Sequence, residues 1–120
     1  MEDCIIVSQL ELQAHIGVPA VERGAAQRVT VSMRLYPVRG LADAREELGN
    51  TVDYAAVCAA VRQEGESRAR RLIETLAEDI ARMLLGRYPL RAVEVEVRKY
   101  VLPEAEYVGV SIRREKIQGL

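Results

Sequence analysis

From Val93 to Arg98 the chain alternates: Val93, Val95 and Val97 share one phase, Glu94, Glu96 and Arg98 the other. Successive side chains of a strand point to opposite faces, so this run predicts a strand with one buried face. One further step of the count places Lys99 in the valine phase. "QRVTVSMRLYPV" alternates in the same way, with Val29, Val31, Met33 and Leu35 opposed to Arg28, Thr30, Ser32 and Arg34. "CIIVSQLELQAHIGV" begins apolar and passes into alternation, and "YVGVSIRRE" alternates through Val108, Val110 and Ile112. "GVPAVERGAAQ" carries glycines and a proline and predicts a loop between the first two strands.

The middle of the chain has helical spacing. "DYAAVCAAVRQEGE" is alanine-rich, and Asp53 is placed to cap its start by accepting backbone N–H bonds. In "RRLIETLAEDIARMLLGRY" the residues Ile73, Leu76, Ala77, Ile80, Met83 and Leu84 form one apolar stripe, closed by Gly86 and Pro89. The predicted order is β-β-α-α-β-β. It implies an α+β fold, a four-stranded antiparallel sheet with two helices on one face, built as a single domain over residues 1–120. Such a sheet has two open edges, which invite pairing with another chain and make ring-like assembly an expectation.

Composition narrows the function classes. Apolar residues make up 49% and charged residues 29%, with a formal net charge of -1. This is a globular composition without the basic excess of a nucleic-acid binder. No apolar run reaches membrane-spanning length, and "MEDCIIV" lacks a basic leader region, so a cytoplasmic location is expected. Cys4 and Cys58 read as small core residues. Neither they nor His15 fall in a metal-ligand spacing, so no metal site is expected. All five aromatic residues are tyrosines, whose hydroxyls need partners when buried.

Candidate chemistry rests on residues out of step with these patterns. Lys99 in an apolar phase either extends its charge past the strand end or marks a site. Glu74, at the start of the second helix, either complements the helix dipole or binds a ligand. Tyr54 opens the first helix, and Glu22 lies in the first loop. Arg68, Arg70 and Arg71 either grip a phosphate or form a solvated helix junction matched by nearby acids.

Taken in order, these residues carry a resemblance. Ile16-Gly17 followed by Glu22 and Gln27, Tyr54 in "TVDYAAV", Glu74 in "LIETLAE", Lys99 at a strand end and Val108-Gly109-Val110 together resemble the dihydroneopterin aldolase family over nearly the whole chain. Many members have Pro after the Lys, where this chain has Tyr100, which bears on the shape of that loop. The resemblance implies the tunnelling fold: four subunits join their sheets edge to edge into a barrel, and two rings stack into an octamer. It also implies pockets between subunits, with Tyr54 from one and Glu74 and Lys99 from its neighbour. The implied activity is that of a lyase in folate biosynthesis. Retro-aldol cleavage of 7,8-dihydroneopterin gives 6-hydroxymethyl-7,8-dihydropterin and glycolaldehyde, with no metal, no cofactor and no Schiff base. Lys99, Tyr54 and Glu22 would then be catalytic, and Glu74 with the backbone of Ile73 and Val52 would bind the pterin. The alternatives are a dihydroneopterin triphosphate 2′-epimerase on the same fold, and a non-catalytic pterin- or purine-binding ring.

Overall fold

The structure is a computed structural model describing residues 2–117. Strand β1 (Ile5–Ala14) is followed by a one-turn helix α1 (Ala20–Arg23) and strand β2 (Gln27–Pro37). Two 3-10 turns, Leu41–Ala44 and Leu48–Asn50, lead to helices α2 (Tyr54–Glu66) and α3 (Ile73–Arg87). Strands β3 (Leu90–Lys99) and β4 (Val108–Glu115) complete a four-stranded sheet in the order β1-β2-β3-β4. Every pairing is antiparallel. The β-β-α-α-β-β architecture expected from the sequence is the one observed.

The alternation of β2 and β3 sorts their side chains as the pattern predicts. Val29, Val31, Leu35, Val93, Val95 and Val97 are fully buried beneath the helices. Helix α2 packs on β1, and α3 on β3 and β4. The apolar stripe of α3 meets them through Leu76, Ala77, Ile80 and Leu84. Asp53 caps α2 as expected, its Oδ1 accepting from the backbone N–H of Ala55 at 3.0 Å and Ala56 at 3.2 Å.

Strand β1 departs from simple alternation for a visible reason. The pairing with β2 shifts register between Val7 and Leu10, where Gln9 adopts a left-handed φ of 54°. The Gln9 N–H bonds to Ser32 Oγ at 2.9 Å instead of a strand carbonyl. One extra residue reverses the phase of every later side chain. Ile5 and Val7 therefore face the core before the bulge, and Leu12 and Ala14 after it.

Two sequence readings are corrected. Cys4 and Cys58 are half-buried rather than core residues, and burial pushes the Cys58 thiol up. Arg70 is no solvated junction residue, since it is only 4% exposed. Its Nε donates to Asp79 at 2.9 Å, and Nη2 to the Glu64 carboxylate at 2.9 Å and the Glu64 carbonyl at 3.2 Å. Nη1 donates to the carbonyls of Arg68 at 3.3 Å and Gly65 at 3.5 Å. All of its N–H groups are thus directed inward, tying the end of α2 to α3. No donor is left for a phosphate.

Arg70→Met leaves the partly buried Glu64 carboxylate and two inward carbonyls without their donor, while Asp79 keeps Arg68 at 2.6 Å. Urea unfolding is expected to show a loss of about 2 kcal/mol. A loss below about 1 kcal/mol would mean that this network contributes little to the α2–α3 junction.

Candidate active site

The register fixes where the candidate residues stand. Lys99 pairs with Val29 on one side and Val108 on the other, at the end of the sheet where Ala14 pairs with Gln27. Its side chain is 13% exposed and keeps the valine phase. An ammonium group so placed requires a partner. The Glu22 carboxylate supplies it, with Nζ–Oε1 at 3.2 Å and the Glu22 side chain 28% exposed.

Glu22 arrives on α1, a turn of helix inside the segment read as a loop. Pro19 starts that turn by accepting from the backbone N–H of Glu22 at 3.1 Å and Arg23 at 3.2 Å. The Arg23 guanidinium reaches back to the carbonyls of Gly17 at 2.9 Å and Val18 at 2.5 Å. His15 Nδ1 lies 2.9 Å from the Arg23 carbonyl. A carbonyl only accepts, so Nδ1 carries the proton. His15 therefore holds the turn that carries Glu22.

The start of α3 lies at the same end. The Gly17 N–H donates to the Arg70 carbonyl at 3.0 Å, and the Arg70 N–H to the His15 carbonyl at 3.0 Å. This bridge between Ile16 and Arg70 brings the chain into α3, whose first residues are Ile73 and the exposed Glu74. Gln27 adds a further polar group. Its Nε2 donates to the Ile16 carbonyl at 2.7 Å, and its buried Oε1 has no partner among the described residues.

Val52 and Tyr54 are elsewhere. Helix α2 reaches the Lys99 end of the sheet with its C-terminus, where Glu66 accepts from the Gln13 N–H at 3.0 Å. Its first turn lies at the opposite end, where the Tyr88 hydroxyl donates to the Ala56 carbonyl at 3.3 Å. At 1.5 Å per residue, Tyr54 is about 18 Å along the helix from Glu66. The chain thus brings Glu22, Gln27, Glu74, Ile73 and Lys99 to one end and places Val52 and Tyr54 at the other. Val52 is buried, and Tyr54 is 61% exposed.

Comparison with known proteins agrees with this architecture. The family profile described as FolB, dihydroneopterin aldolase, matches residues 5–113. The chain belongs to the dihydroneopterin aldolase family. It is similar to the E. coli dihydroneopterin aldolase solved in complex with neopterin, at 26% identity and a TM-score of 0.85, covering 93% of this chain and 98% of that one. It is also similar to the Burkholderia thailendensis dihydroneopterin aldolase bound to guanine, at 30% identity and a TM-score of 0.78, covering 96% of this chain and 93% of that one. The folic acid synthesis protein FOL1 of Dictyostelium discoideum is 28% identical over 113 residues. That match takes in 93% of this chain, which spans 17% of the length of FOL1.

Arg70, a candidate phosphate ligand in the sequence, and Tyr100, which stands where many members have Pro, are both turned away from Lys99. Arg70 is committed to the helix junction. Tyr100 follows Lys99 by one residue, so it projects from the other sheet face. There its hydroxyl lies 2.8 Å from Thr30 Oγ1, and the Arg28 guanidinium stands 4.3 Å from its ring centroid.

The cap of α2 is a direct handle on the Tyr54 end. Asp53→Ala is expected to cost about 1 kcal/mol in urea unfolding, because it leaves two N–H groups of the first turn unbonded. An unchanged unfolding midpoint would show that the cap does not hold that turn.

Proposed function

We propose that this chain is a dihydroneopterin aldolase that cleaves 7,8-dihydroneopterin by a metal-free retro-aldol reaction in folate synthesis. The observation that carries the reading is the Lys99–Glu22 pair, an ammonium and a carboxylate 3.2 Å apart at the end of an otherwise apolar sheet face. Retro-aldol cleavage needs an electron sink beside the breaking bond. The substrate's own N5=C6 imine provides one, so no Schiff base to lysine is required.

In this reading the Lys99 ammonium lies near N5 and donates a proton to it. The C2′ hydroxyl loses its proton as the C1′–C2′ bond breaks. The bonding electrons move into C1′=C6 as an enamine, and C2′ leaves as the aldehyde carbon of glycolaldehyde. C1′ then takes up a proton and N5 returns one, giving the hydroxymethyl product. Tyr54 exchanges protons with the side-chain hydroxyl or the intermediate, directly or through water. Glu22 holds the ammonium and borders the side-chain end of the site. Glu74 accepts paired hydrogen bonds from the amino group and ring N–H of the pterin. The backbone of Ile73 and Val52 completes that recognition.

The same reading requires more than one copy. Val52 and Tyr54 would come from one subunit, and Glu22, Glu74 and Lys99 from its neighbour, within an octamer of two stacked tetramer rings. Strands β1 and β4 are the sheet edges that would join. Along them Ile5, Val7, Val110 and Ile112 are partly buried on the core.

Incubation with 7,8-dihydroneopterin without added metal is expected to yield 6-hydroxymethyl-7,8-dihydropterin and glycolaldehyde. Lys99→Ala is expected to lower turnover by about 100-fold or more while pterin binding survives. Glu74→Ala is expected to weaken binding by about tenfold or more. Normal turnover in Lys99→Ala would overturn the mechanism. Epimerised substrate as the only product would favour the epimerase, and pterin binding with no turnover of the free or triphosphate substrate would favour the non-catalytic ring.

A further inference from the structure

Gly17 is bound on every side. Its N–H is held by the Arg70 carbonyl at 3.0 Å, and its own carbonyl by the Arg23 guanidinium at 2.9 Å. Its φ of 156° is one that residues with a Cβ rarely adopt. The face left bare by the missing side chain is covered by Glu22. A Cβ at Gly17 would lie 1.8 Å from Glu22 Oε1, 2.4 Å from Cδ and 2.5 Å from Cγ. The Glu22 side chain whose carboxylate meets Lys99 therefore occupies the space that a Cβ at position 17 would take.

From this geometry we infer that Gly17 is a positioning residue, the seat that directs the Glu22 carboxylate onto the Lys99 ammonium. The inference rests on the proposed function of that pair. The backbone at Gly17 is fixed from both directions and cannot retreat. Glu22 is the flexible partner, so any side chain at position 17 displaces its carboxylate. Gly17 thus acts on the reaction through Glu22, without touching substrate. The requirement for glycine is twofold, φ and space, and the two separate experimentally: removing the Glu22 side chain abolishes the clash and leaves the φ requirement unchanged.

The test is a double-mutant cycle with Gly17→Ala, Glu22→Ala and the double variant, read by turnover of 7,8-dihydroneopterin and by the urea midpoint. Alone, Gly17→Ala is expected to reduce kcat as far as Glu22→Ala does, about tenfold or more, with KM changed by less than about threefold. In the Glu22→Ala chain the same substitution is expected to change kcat by less than about twofold. Its effect on the midpoint is expected to be larger in the otherwise unchanged chain than in the Glu22→Ala chain. Equal effects in both backgrounds would overturn the seat and leave only a backbone requirement. If Gly17→Ala alone fails to fold while the double variant folds, the clash with Glu22 is supported. If neither folds, the proposal is overturned. The urea cycle needs no activity, so coupling there with no turnover even in the unsubstituted chain would retain the seat and reject the aldolase reading.

Discussion

A charged lysine in phase with buried valines must be answered by a carboxylate, and the arrangement of this end of the sheet follows from that demand. Lys99 cannot leave its phase, because its strand is paired on both sides. Its partner Glu22 comes from a single turn of helix, too short to be stable by itself. Arg23 and His15 therefore tie that turn to the chain leaving β1. The same segment, through Gly17, is tied to the approach to α3. Displacement of any of these connections is transmitted to a carboxylate and an ammonium 3.2 Å apart.

Packing divides the remaining chemistry. An antiparallel helix pair over an antiparallel sheet presents the start of one helix and the end of the other at each end of the molecule. The start of α3, with Glu74, accompanies Lys99. The start of α2, with Tyr54, is carried to the far end. No local adjustment closes a gap of about 18 Å along a capped helix. Hence a site that uses all of these residues takes them from two copies. The open edges β1 and β4 offer a means of assembly, and the exposure of Tyr54 leaves it available to a neighbour.

Much of this was legible in the sequence because period and phase are local properties. Valine alternation located β2 and β3, and the same count placed Lys99 on the apolar face. Asp53 and the stripe from Ile73 to Leu84 marked both helices. Where sequence reasoning fell short, the cause was tertiary. The bulge at Gln9 has no glycine to announce it, and its N–H is satisfied by a serine on the next strand. Helix α1 spans four residues, fewer than any periodic signal needs. Arg70 looked like one of a run of surface charges, and its burial depends on carboxylates of two different helices. Gly17 and Gln27 stood out only as landmarks. What they do depends on a side chain five residues away and on a carbonyl of the preceding strand's exit.

The claim that the site is shared between copies is tested most directly by mixing two inactive variants. Tyr54→Ala and Lys99→Ala would be unfolded together, refolded and assayed with 7,8-dihydroneopterin. Random assembly places an intact Tyr54 beside an intact Lys99 at about one interface in four, so recovery of about a quarter of the unmodified activity is predicted. Mixed assemblies as inactive as either variant alone would contradict the account.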